Sequence, residues 1–191
     1  MCRVRSRLRW FVSIRGSTLA LRVEQIEACP DENALFKLLS AELTERPGAS
    51  EGDDLDLFVT RISQIPVGPR AMAAVYQLDV SLALDDLGWH FANWHHRGYC
   101  EATLWMLGEL GAGECAEIFA EAYEKVQPFW DEIGALCAQD FGDFVEWYRD
   151  SELSRRLLSL TERMWDLQEI DGGLLGFWTS YTRKHPDRVC E

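Results

Sequence analysis

The 191-residue chain contains no C-x-x-C pair, no phosphate-cradling glycine loop and no dinucleotide fingerprint. Each absence removes a class of protein: cysteine-built zinc modules and nucleotide enzymes. No apolar run is long enough to span a bilayer. In MCRVRSRLRWFVSIRGSTLALRV arginines interrupt every apolar stretch, so no signal-peptide core forms there either. Alternating β-branched runs are missing except for a short stretch near residues 10–14. Repeats, low-complexity tracts and long linkers are also missing, which points to one packed helical unit rather than a sheet or an array.

Bases are scarce where acids are dense. The formal net charge is −13, and it is unevenly distributed. Residues 1–22 carry six arginines and no acid, whereas residues 101–152 hold 13 acids against Lys125 and Arg149 alone. A chain of this balance is not a direct nucleic-acid binder, because phosphate neutralisation needs clustered Lys and Arg. The 47% hydrophobic content and eight tryptophans exclude a disordered acidic tail. Six widely spaced cysteines read as reduced thiols that fill the core of a cytoplasmic protein. Residues 1–23 read as a basic arm, and residues 24–191 as one acidic helical domain.

The periodicity is helical nearly throughout. Asp31 is placed to cap a helix reaching about Glu45, with Leu35, Leu38, Leu39 and Leu43 facing inward. Residues 47–52 and Pro66-Val67-Gly68-Pro69 read as breaks. Leu55, Phe58, Val59 and Ile62 mark a short helix between them. A longer one is expected from about Arg70 to Asp86, buried through Met72, Val75, Tyr76, Leu82 and Ala83. Residues 99–110 are apolar nearly all round, which predicts a central buried helix ended by Gly111. Leu153, Leu157, Leu160, Met164 and Leu167 form a 4-3-4-3 stripe on a long amphipathic helix. A last helix spans about Leu174 to Lys184, stopped before Pro186. The expected fold is all-α, a single-domain irregular helical bundle with a basic N-terminal arm.

Two segments carry the acids. Glu114, Glu117, Glu121 and Glu124 recur at 3-4-3 opposite Ile118, Phe119, Ala122 and Val126. Asp140, Asp143, Glu146 and Asp150 recur at 3-3-4, backed by Phe141, Phe144, Val145 and Tyr148. Each set places four carboxylates on one helix face, about 4.5–6 Å apart along the axis. Like charges at these spacings cost a helix a few tenths of a kcal/mol per pair. Such faces either solubilise the protein or meet a basic partner through charge complementarity.

Residues 85–98, DDLGWHFANWHHRG, hold three of the four histidines. A metal site would draw on His90, His95 and His96 with Asp85, Asp86 and Glu101. The histidine spacings do not match the i,i+3 or i,i+4 pattern of metal-binding helices. The structural reading makes this stretch a junction. Gly88 permits a turn or close contact, Trp89, Phe91 and Trp94 pack, and the histidines and Asn93 sit at the rim.

The run YQLDVSLALDDLGWHFANWHHRGYCEATLWMLGELGAGECAEIFAEAY resembles the core of the bacterial domain of unknown function 4375 family, which includes an acidic DNA-mimic protein. That family shows an aspartate-containing helix, an Asn-Gly-Gly-Phe motif, a helix ending in a Gly-Ala step and an acidic amphipathic helix. Leu78-Asp79-Val80, Asp86-Leu87-Gly88-Trp89 and Leu110-Gly111-Ala112 stand at the corresponding places, with Asp86 and Leu87 in place of the Asn and first Gly. The tail WTSYTRKHPDRV is similar to the closing helix, so the resemblance covers about residues 55–189. It implies a structural motif at Asp86, Gly88 and Trp89, and a non-enzymatic protein that imitates a phosphate backbone. The sequence therefore predicts an acidic protein-binding domain that needs no cofactor and no membrane. Its partner is a basic, DNA-binding protein that meets the eight acids at 114, 117, 121, 124, 140, 143, 146 and 150. The alternatives are an immunity or antitoxin-type protein facing a basic toxin, and a metal-dependent enzyme using His90, His95 and His96.

Overall fold

A computed structural model describes residues 21–45, 55–170 and 172–190. The described residues are all-α, with no strand. The helices are α1 (Val23–Glu27), α2 (Glu32–Glu45), α3 (Leu55–Gln64), α4 (Val67–Leu84), α5 (Leu87–Asn93) and α6 (Arg97–Glu109). They continue as α7 (Gly113–Val126), α8 (Trp130–Gln139), α9 (Phe141–Arg149), α10 (Glu152–Gln168), α11 (Gly173–Lys184) and α12 (Pro186–Val189). A single 3-10 turn, Gln127–Phe129, joins α7 to α8.

The helix ends read at Asp31 and Gly111 are observed, and Ser151 supplies a further cap. The Asp31 carboxylate accepts a hydrogen bond from Ala34 N at 2.8 Å and opens α2. Ser151 Oγ accepts from Ser154 N at 3.0 Å and opens α10. Gly111 closes α6 at φ 76°, a left-handed conformation that favours glycine. The α10 stripe is buried at Leu153, Leu157, Leu160 and Met164.

Four expectations need correction. The break expected at Pro66-Val67-Gly68-Pro69 is confined to its start, between α3 and α4: Pro66 caps α4, and Pro69 sits in its first turn, where no helical N–H is lost. Ala83 faces solvent rather than the core. α6 is not buried all round, since Trp105 is 46% exposed while Tyr99, Cys100, Thr103, Met106 and Leu107 are buried. The helix expected to stop before Pro186 does so, ending at Lys184, but it is not the last, because that proline starts the short α12.

The packed part also begins earlier than residue 24, as Leu21 is 2% exposed and α1 starts at Val23. Arg183 of α11 anchors this end by donating to Ile26 O at 2.8 Å and Cys29 O at 2.9 Å. The remainder of the arginine arm, the stretch near residues 10–14, the expected loop at 47–52 and the Leu43 side chain lie outside the described residues.

One hydrophobic core runs through the bundle. α4 packs against α6, α11, α5 and α12, and α10 packs against α7, α5, α11 and α9. Cys100 and Cys115 are buried within it as unlinked thiols. Burial pushes Cys100 up to about 12 and Cys115 up to about 11, which keeps both protonated and unreactive. No helix among the described residues is long and apolar enough to cross a membrane.

Candidate functional site

The first acidic face lies on α7. Cys115, Ile118, Phe119, Ala122 and Val126 are buried, where α7 meets α10, α6 and α5. This leaves Glu114, Glu117, Glu121 and Glu124 exposed on the opposite side. Lys125 pairs with Glu121 at 2.9 Å, and among the described residues no other base pairs with these four.

The second set is built differently from the expected single helix. The backbone extends at Asp140 (φ −153°, ψ 133°), which ends α8 and caps α9. The Asp140 carboxylate accepts from Gly142 N at 2.7 Å, so part of its charge is spent on that cap. Asp150 lies just beyond the last residue of α9. Only Asp143 and Glu146 are therefore on the helix proper. All four are exposed, while Phe144 and Tyr148 are buried behind them. Arg149 and Arg155 border the Asp150 end, and Arg155 Nη1 donates to Asp150 O at 2.9 Å. The α7 face is thus the more purely acidic of the two. Both helices pack against α10.

Two further exposed acids lie between these sets, Asp131 and Glu132 in the first turn of α8. Acids are common at helix N-termini because they complement the helix dipole, so their spacing alone carries no binding signal.

The junction between α4 and α6 places its three histidines in three environments. His90 is 0% exposed, not at the rim, and its ring packs against Phe91, Tyr99 and Phe119. Ser81 Oγ donates to Gln77 O at 2.9 Å, which spends its only proton. At 3.0 Å, His90 Nδ1 must then carry the hydrogen and donate to Ser81 Oγ. Nε2 is left as a bare, buried acceptor with no partner. Burial holds this imidazole down at about 3, so it stays neutral in the folded protein.

His95 donates from Nε2 to Trp130 O at 2.8 Å and stacks on the Trp130 ring at 4.1 Å. Burial lowers its pKa, opposed by the bond to Trp130 O. His96 caps α6: its Nδ1 accepts from Tyr99 N at 3.1 Å, so Nε2 donates to Asp56 Oδ1 at 2.7 Å. The rings serve different partners, and Glu101 faces solvent on α6. No group of three or more metal-binding side chains converges among the described residues.

Asp86, Gly88 and Trp89 form one motif with α9. Asp86 caps α5 by accepting from Trp89 N at 2.8 Å, and its other oxygen accepts from the Tyr148 hydroxyl at 2.9 Å. A Cβ on Gly88 would fall 2.2 Å from the Tyr148 ring, so only glycine admits this approach. Trp89 packs edge-on against Phe141 at 5.3 Å.

No family model matches the chain, and no curated protein or solved structure matches it.

Proposed function

We propose that this protein acts by binding a basic protein through its acidic faces, in the manner of a phosphate backbone. The observation that carries the reading is the bareness of α7. Four carboxylates stand exposed along one face with a single base, Lys125, beside them. The spacing of about 4.5–6 Å along a helix compares with one phosphate per roughly 3.4 Å along a DNA strand. Such a row costs helix stability and contributes nothing to the core, so its benefit lies in complementarity to a positive surface. Glu114, Glu117, Glu121 and Glu124 are the principal contacts. Asp140, Asp143, Glu146 and Asp150 extend the charge, with Asp140 weakened by its capping role.

Competition tests the mimicry directly. Duplex DNA should displace a DNA-binding partner from the immobilised protein, and the complex should weaken steeply as salt rises. A partner that stays bound in the presence of excess duplex contradicts DNA mimicry. If that partner is a basic toxin, the acidic face serves immunity instead.

A further inference from the structure

The histidine-rich junction is not used by the acidic faces, yet each of its three histidine ties depends on where a proton sits. The geometry points to residues 85–96 as an acid-released clasp: a segment that fastens α5 to the core and α9 to α5 near neutrality, and lets both go in acid.

Three ties require a neutral imidazole or a stated tautomer. His90 donates to Ser81 from Nδ1, and a second proton on Nε2 would be a buried donor with no acceptor. The groups around that ring are Ser81 from α4, Phe91 from α5 itself, Tyr99 from α6 and Phe119 from α7. None carries a compensating charge, and Tyr99 is itself held neutral by burial. His96 caps α6 through the lone pair of Nδ1, which accepts from Tyr99 N. Its other neighbour is the Asp56 carboxylate of α3. His95 sits on Trp130, the same ring over which the Arg97 guanidinium lies at 4.8 Å, with Asp131 as the opposing charge. A cationic His95 adds a second positive charge to that stack.

The segment is short and its ends are marked. α5 has seven residues, and Asp85 and Asp86 crowd two carboxyls at its start. Asp79 on α4 is half-buried, with a carboxyl raised by burial, and it titrates in the opposite sense from His90. The links to α9 are the Tyr148–Asp86 bond, with the Tyr148 ring seated over Gly88, and the edge contact of Trp89 with Phe141. When α5 undocks, α9 loses all of these.

The expected size follows from linkage. A site at about 3 when closed and 6.5 when open favours opening roughly 30-fold more at about pH 5 than near pH 7.5.

Hydrogen exchange read by mass spectrometry, with labelling times scaled for intrinsic exchange, tests this on the full chain. At about pH 5, peptides covering 85–99 and 141–149 should lose at least tenfold protection while α7 and α10 keep theirs. The variant His90→Phe/His95→Gln/His96→Asn should show no such loss. Equal loss in all helices, or loss that persists in the variant, overturns the clasp. A readout on the unmodified protein guards against a variant that does not fold. Long-range ¹H–¹⁵N imidazole spectra near pH 7.5 should show Nδ1–H at His90 and Nε2–H at His95 and His96. Any other tautomer removes the ties and contradicts the proposal.

Discussion

The hydroxyl of Tyr148 donates to Asp86 across 62 residues of sequence, at 2.9 Å, while its ring lies where a side chain on Gly88 would be. One contact thus fixes the start of α5 and the placement of α9. It predicts that Gly88→Ala costs roughly 3 kcal/mol, at the upper end for overpacking, because the ring has to move. Tyr148→Phe should cost about 2 kcal/mol, as a charged acceptor loses its donor. Urea unfolding with unchanged m-value reads both. In a double-mutant cycle, Asp86→Ala and Tyr148→Phe should be clearly less than additive.

The pH dependence of stability should be nearly flat between about pH 4 and 6, because two groups shifted by burial oppose each other. His90 is depressed from 6.5 to about 3, so its contribution is present above 6.5 and is lost as pH falls toward 3. Asp79 is raised from 3.8 to about 6, so its contribution is present below 3.8 and is lost as pH rises through 6. Asp79→Asn removes the opposing titration. Its stability should then fall toward acid with a slope approaching ~1.4 kcal/mol per pH unit, the value for one proton. Chemical denaturation at several pH values checks this, and an unchanged flat profile in the variant would refute it.

The Arg183 guanidinium joins α11 to the carbonyls of Ile26 and Cys29 and pairs with Glu32. Arg183→Met keeps the apolar stem and deletes these bonds. It should cost about 2 kcal/mol and make the α1–α2 region the first site of limited proteolysis.

Neutralising the α7 face should separate stability from function. Glu114→Gln, Glu117→Gln, Glu121→Gln and Glu124→Gln together remove repulsion at i,i+3 and i,i+4, each pair worth about 0.2–0.5 kcal/mol. The small loss of the Glu121–Lys125 pair offsets part of this. The quadruple variant should therefore be as stable as the native chain or slightly more so, with a calorimetric Tm equal or higher. A lower Tm would mean the acids serve the fold.

Much of the helical plan is legible in the sequence because it rests on local signals. Asp31 reads as a cap, and the α10 stripe reads as a buried face. Pro69 misleads because proline marks a helix start as readily as a break. Asp140 misleads because its 3-3 spacing to Asp143 and Glu146 fits a helical face, while its bond to Gly142 N makes it a cap. The acidic residues of α7 are exposed as their periodicity predicts, since an amphipathic pattern reports exposure directly. The role of His90 is not legible. It depends on Ser81 having spent its proton on Gln77, and on aromatic rings from α6 and α7 that only folding brings together. The Tyr148–Asp86 tie is equally invisible, since no spacing rule spans helices so far apart in sequence.

The most direct test of the central claim is affinity capture from source-cell lysate at low and high salt, with the native chain and the quadruple α7 variant side by side. Mass spectrometry identifies what each retains. The account predicts a basic partner bound by the native chain at low salt, released at high salt or by duplex DNA, and absent from the variant. The same proteins retained by both chains at both salts would contradict it.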